Sequence, residues 1–329
     1  MTRRGGHNRG SALVFALAIL GIIVTFGFAM YRFTLLESDA LGDDIDRDRA
    51  RWDAASGVEH AIAELQTAIG SGQVDALLKP EGVAPVSLGI YRLASTLPNS
   101  DASLIPDDRY ESSASVTISD ECARMNVNLA PPAVLISMLK IDGEKARQVR
   151  EKLPRLDGAP ASPEEGRRWL SSVDELSGLQ VLAPDTLTPE RVKDLTVFSA
   201  LDMQNAAGYV NLNTASSAVI EAALGVTPEV AAKVIAARPL NSLDALVAAT
   251  GKDPNGFNFK PAADNPSGLP RELAFSSRCF RITSTATLTR KATQDTNTAT
   301  VEAVVQFPEG AAPRIVYWNE PSVGANTGK

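Results

Sequence analysis

The side chains that most often carry catalysis are scarce in this chain. Histidine occurs twice, as His7 and His60, and cysteine twice, as Cys122 and Cys279. That excludes a zinc site built on several histidines or four cysteines, and a CxxC redox motif. A Ser-His-Asp triad would have to rest on His60. His60 follows Glu59 and precedes Glu64 in an amphipathic stretch, the setting of a solvated or packed histidine. The one nucleophile pattern is Ser137-Met138-Leu139-Lys140, the S-x-x-K spacing of serine acyltransferases. No S-D-N or K-T-G accompanies it, and no G-x-S-x-G or glycine-rich phosphate loop occurs. A helix surface with Ser and Lys one turn apart accounts for the pattern. An anchored enzyme of unknown chemistry would have to use it.

Composition points away from nucleic acid as well. The net charge is −7, and aromatic residues are only 5% of the chain. A general nucleic-acid binder needs a concentrated basic surface, and a single-strand binder needs stacking platforms. Hydrophobic residues make up 44% and charged residues 22% of the 329, enough to build a core and to rule out global disorder.

The elements that would position any function begin with the amino terminus. Arg3, Arg4 and Arg9 precede an uncharged run from Ser11 to Tyr31. As a helix, that run spans roughly 30 Å, the thickness of a bilayer core. Glu37, Asp39, Asp43, Asp44 and Asp46 follow it. The positive-inside rule then puts the start in the cytoplasm and the body outside. A cleaved secretory signal is the competing reading, but its apolar region is usually shorter. Here the run passes without proline into an amphipathic stretch carrying Ile45, Trp52, Val58, Ile62, Leu65 and Ile69, so one helix is expected from Ser11 to Ile69.

The middle of the chain repeats itself. Residues 126–154 and 211–239 align without gaps at an offset of 85; identities include Asn126/Asn211, Asn128/Asn213, Ala130/Ala215, Leu139/Leu224, Glu144/Glu229 and Pro154/Pro239. Each copy reads as a helical hairpin, with Asn or Thr of Asn211-Leu212-Asn213-Thr214 as expected cap and Pro228 at the first position of the second helix. A similar coda follows each copy, Ser172 to Leu176 and Ser242 to Leu246, with a short third helix expected there. Alternating β-formers flank the block at Ser113–Ser119, Cys279–Leu288, Thr300–Phe307 and Arg314–Trp318, with a turn over Arg290–Asn297. The expected fold is α+β: a long amino-terminal helix packed on an antiparallel sheet, with a large all-α insertion. Cys122 closes the first strand group and Cys279 opens the second. If the insertion leaves and rejoins one sheet, the two come close, and a body outside the cytoplasm permits a disulfide. A bridge and two buried thiols both stay open.

These features carry resemblances. Arg9-Gly10-Ser11 before the apolar run resembles a type IV pilin-like leader, which a prepilin peptidase would cut between Gly10 and Ser11. Pilins usually have Glu at the fifth mature position; here that position is Phe15. The hairpins resemble the helix-hairpin-helix units that bind DNA backbones. They lack the Gly-x-Gly that admits phosphate, having Lys140-Ile141-Asp142-Gly143 and Gly225-Val226-Thr227-Pro228 instead. Packing or partner binding is the other use for them. Together, the leader without Glu, Arg124 to Ala130, Val210 to Ala215 and the terminal Ile315-Val316-Tyr317-Trp318 resemble the K-type minor pseudopilins of type II secretion systems (the GspK family), over nearly the whole chain.

That resemblance implies a layout: leader 1–10, transmembrane helix 11–31, its continuation 32–69, a first part of the pilin-like domain 70–123, the insertion 124–273, and a second β part 274–329. It implies a non-enzymatic subunit at the tip of a periplasmic pseudopilus, single-pass in the inner membrane. The implied partners are I- and J-type minor pseudopilins, the major pseudopilin, the inner-membrane assembly platform and the prepilin peptidase. The alternative is a minor pilin of a type IV pilus or DNA-uptake system. Some members of the family bind calcium, which takes six to eight oxygen ligands. Asp101, Asp107 and Asp108 form one candidate loop; Asp253, Asn255, Asn258, Asp264 and Asn265 form the other. Turn chemistry beside Pro and Gly explains the same residues.

Overall fold

No proline interrupts residues 9–70, and the apolar run joins an alanine-rich amphipathic run. The computed structural model describes residues 9–72, 74, 86–91, 109–154, 167–198, 210–259, 273–320 and 324–326. In it the two runs form one helix, α1 (Arg9–Gly70), of 62 residues. Its length is roughly 90 Å. From Leu13 to Leu36 the helix is exposed on every face, and it is long and apolar enough there to cross a membrane. Beyond residue 46 one face is buried at steps of three and four residues, through Ala50, Ala54, Val58, Ala61, Leu65 and Ala68.

Two strands follow, β1 (Val86–Tyr91) and β2 (Tyr110–Asp120), and then the helical block. The first repeat runs β3 (Met125–Asn126), α2 (Pro132–Leu139), α3 (Gly143–Lys152), a 3-10 turn at Val173–Leu179, α4 (Pro189–Val192) and β4 (Leu195–Thr196). The second runs β5 (Val210–Asn211), α5 (Ser217–Leu224), α6 (Pro228–Ala236), α7 (Leu243–Thr250) and β6 (Leu273–Ala274). In each repeat the last two-residue strand returns to pair in parallel with the first, β3 with β4 and β5 with β6. A repeat is thus a closed excursion that starts and ends at one place, and it is longer than the hairpin visible in the sequence.

Local chemistry explains most of the helix boundaries. Pro132 and Pro228 open helices in their first turn, where a missing N–H costs nothing. Lys140 and Gly225, equivalent in the two repeats, both end a helix in the left-handed region, at φ 54° and 61°. One expectation fails. Asn211, Asn213 and Thr214 do not cap α5; Ser216 does, accepting from the Val219 N–H at 3.3 Å. The asparagines are buried and serve another purpose. The third helix is α-helical only in the second repeat.

The chain then completes the sheet with β7 (Cys279–Arg290), β8 (Thr296–Gln306), β9 (Arg314–Asn319) and β10 (Gly324–Asn326). The order is β1-β2-β7-β8, with β9 and β10 both along the outer edge of β8, and all pairs are antiparallel. The expected turn over 290–297 narrows to 291–295, because the β7–β8 ladder extends to the Thr289↔Thr296 pair. The inner face carries Val116, Ile118, Phe280, Ile282, Val301 and Val305 against α1. Thr283, Thr285, Thr287 and Thr289 alternate onto the other face. Helix and sheet approach closely at Gly57: a Cβ there would overlap Ser284 Oγ and lie 3.2 Å from Val116 Cγ2. The helical block has its own core, in which Val134, Leu135 and Met138 of α2 join Val219, Ile220 and Ala223 of α5, so the two repeats pack as one unit.

Candidate interface at the neck of the helical block

Each repeat is organised around its Asn-x-Asn pair. Asn126 Oδ1 accepts the Asn128 N–H at 2.9 Å, and Asn211 Oδ1 accepts the Asn213 N–H at 3.0 Å. The second asparagine then acts as a strand rung. Asn128 donates to the Leu170 carbonyl at 3.0 Å and accepts the Leu170 N–H at 2.9 Å; Asn213 does the same with Leu240 at 2.9 and 2.7 Å. A carboxamide presents a donor and an acceptor side by side and so holds a backbone N–H and C=O together, which an ionised carboxylate, an acceptor only, cannot do. An arginine closes each loop. Arg150 donates to the carbonyls of Asn128 and Ala130, at 2.8 and 3.2 Å, and Arg238 to those of Leu212 and Ala215. The two arginines are not equivalent by the 85-residue offset, yet they do the same job. Burial pulls both down to about 10, for Arg150 with help from the nearby Arg167 charge, so both stay charged at neutral pH.

The neck itself is held by two adjacent carboxylates at the end of β2. Asp120 accepts from the Asn211 amide at 3.0 Å and from the hydroxyls of Thr214 and Ser277, while its Oδ1 takes the Cys122 N–H at 2.7 Å. It therefore ties the second repeat to the sheet. Burial raises its pKa above the ordinary carboxylate value, and these four donors oppose the rise. Glu121 is fully buried and ties in the first repeat: it accepts from Thr196 Oγ1 and pairs with Arg124 at 3.0 Å and with Arg281 of β7. Arg281 also pairs with Glu302 of β8. Burial alone would lower the Arg281 pKa, but the two carboxylates outweigh it and leave it raised. A groove of about 400 Å³ beside the neck is lined by Arg124, Lys193, Thr196, Phe198, Arg281 and Tyr317. Its two arginines are already paired with Glu121 and Glu302, so it offers a contact surface rather than an anion trap.

The structure brings Cys122 and Cys279 together, as thiols, in one small buried cluster with Val304. Burial pushes the Cys279 thiol well above its ordinary pKa, and the neighbouring Cys122, Glu121 and Asp120 push the same way. No local sequence motif marks either carboxylate. The available signal was two acids ending an alternating strand just before the repeat begins.

Other expected sites fall elsewhere. Gly10 and Ser11 lie in the first turn of α1, and Phe15 is 69% exposed on it. His60 is exposed and meets Glu64 at 3.1 Å. Ser137 is half-buried on α2, and Lys140 is its exposed left-handed cap, so the S-x-x-K pattern is a helix end. Asp253 accepts the Asn255 N–H in its own turn, Asn258 donates to the Ala222 carbonyl at 2.8 Å, and Lys252 Nζ lies 2.8 Å from the Gly225 carbonyl. Those contacts tie Asp253, Asn258 and Lys252 into the loop itself. Asp101, Asp107, Asp108, Asp264 and Asn265 lie outside the described residues. The hairpin loops are equally unlike phosphate cradles. Asp142 occupies the start of α3, taking the Lys145 N–H at 2.8 Å, and Pro228 removes a donor at the start of α6.

No protein-family model matches the chain, and no curated protein is similar to it in sequence. Among solved structures it is similar to a chain in the crystal structure of the GspK-GspI-GspJ complex from the enterotoxigenic Escherichia coli type 2 secretion system. The TM-score is 0.51 at 15% identity, over 86% of this chain and 99% of that one. The shared property at that identity is the fold: a long amino-terminal helix on an antiparallel sheet with a helical region.

Proposed function

We propose that the protein is a non-enzymatic minor pseudopilin of the K type, placed at the tip of a type II secretion pseudopilus. There it primes assembly and helps drive folded proteins through the outer-membrane secretin. The observation that carries the reading is the combination of one fully exposed apolar helix with a pilin-like sheet interrupted by a double helical repeat, a fold shared with a chain of the GspK-GspI-GspJ complex. Partners of the I and J types follow from that likeness. Phe15 in place of the usual Glu suits a subunit with no neighbour above it, since no amino terminus would need neutralising there. The bulk of the helical block suits the same position, because it would obstruct a subunit stacked on top. The carboxylates and proline at the hairpin starts weigh against the DNA-uptake alternative.

In this reading Arg3, Arg4 and Arg9 stay in the cytoplasm, residues 11–31 anchor the protein in the inner membrane, and the body is periplasmic. Prepilin peptidase cuts between Gly10 and Ser11. The test is the amino-terminal mass of the membrane-extracted protein, with and without the peptidase. A start at Ser11 that depends on the peptidase is the expected result. A start at Met1 in both cases, or a start beyond Tyr31, would overturn the reading.

A further inference from the structure

We propose that Cys122 and Cys279 are joined by a disulfide in the mature protein, a staple across the neck where the helical block leaves the sheet and returns to it. The inference rests on the reading that the body lies outside the cytoplasm, where such bonds form and persist. The geometry favours it in three ways. The β2–β7 ladder runs unbroken to its last rung, Asp120↔Phe280; Cys279 is the next residue beyond it on β7, and Cys122 lies in the 3-10 turn that follows Asp120. The Asp120 carboxylate holds that turn by accepting the Cys122 N–H at 2.7 Å, which keeps Cys122 at the end of the ladder, on the Cys279 side of the neck. Both side chains are buried in the same three-residue cluster rather than on opposite faces.

The bond would close the 156 residues between the two cysteines, which contain both repeats. A cross-link over so long a loop removes much of the freedom of the unfolded chain. The neck is also where two carboxylates, Asp120 and Glu121, already join the repeats to the sheet, so the staple would act where the block is attached.

The chemistry balances with a disulfide-bearing dithiol oxidase as electron acceptor. The thiolate of one cysteine attacks the oxidase disulfide and forms a mixed disulfide. The thiolate of the second displaces the oxidase, which leaves as a dithiol carrying the two electrons and, by way of solvent, the two protons that the cysteine thiols gave up. Burial raises the pKa of Cys279 in the folded protein, so exchange occurs before the neck closes. Once closed, the bond is shielded from outside thiols.

The test is alkylation of the full-length protein, extracted from membranes with thiols trapped at lysis and then denatured, with and without reductant. The expected result is that neither cysteine is modified until reductant is added, and that digestion yields a peptide joining Cys122 to Cys279. Modification of both without reductant, or linkage of either to another molecule, would overturn the proposal. A second sample is unfolded, reduced and refolded in a glutathione redox buffer. Failure of the bond to form there overturns the proposal on geometry and leaves the export reading standing. Formation there with none in the membrane extract overturns it through the compartment, and counts against the export reading too. The Cys122→Ser variant separates an intramolecular bond from other protection, because its Cys279 must then react without reductant.

Discussion

Among the described residues Asp120 is met by four uncharged donors, whereas its neighbour Glu121 has two arginines. The two acids therefore respond differently to pH. The Asp120 pKa is raised in the folded protein, so the stability it contributes is complete below its unfolded value of about 4 and is lost as pH rises through the folded value. An asparagine mimics the protonated acid and has no such loss. The Asp120→Asn variant is expected to show a stability deficit against the parent that shrinks between pH 4 and pH 7, measured by urea unfolding. A deficit that grows with pH would contradict the burial argument. Asp120→Ala leaves the Asn211 amide and the Cys122 N–H without their acceptor, and is expected to cost about 2–3 kcal/mol. Lys140 sits at φ 54°, where its repeat counterpart is Gly225. Lys140→Gly is expected to raise stability by about 1 kcal/mol in thermal unfolding, because glycine takes the left-handed cap without a Cβ penalty.

At the scale of elements, α1 and the sheet depend on close approach. Gly57→Val places a branched side chain against Ser284 and Val116, and is expected to destabilise the protein by about 1–3 kcal/mol. Gly27→Val, on the exposed part of the same helix with nothing within 4 Å, serves as the control and is expected to leave the unfolding midpoint of the body unchanged. The repeats depend on their asparagines: Asn128→Ala and Asn213→Ala should each cost about 2–3 kcal/mol in urea unfolding by orphaning a buried N–H and C=O. Sequence patterning disclosed α1, the three long strands and the hairpins, because apolar period, proline and glycine act locally. It misassigned the asparagines as caps. Their partners, Leu170 and Leu240, stand 42 and 27 residues away, and nothing near the asparagines marks them. The clamps at Asp120 and Glu121 were hidden for the same reason: Asn211 and Arg281 lie 91 and 160 residues along the chain. Arg150 and Arg238 escaped the repeat comparison because they perform one role from positions that do not align.

At the scale of the molecule, a helix exposed over its whole apolar half is joined to a sheet core, and a second core hangs from one neck. In the proposed role the sheet and α1 would join a filament, and the helical block would form its bulky end. The central claim is one of assembly. Its most direct test is co-expression of the full chain with the I- and J-type minor pseudopilins of the same secretion system, followed by detergent extraction and native mass measurement. The account predicts a single complex containing all three chains. Association of the I- and J-type subunits with each other, leaving this protein apart from both, would contradict it.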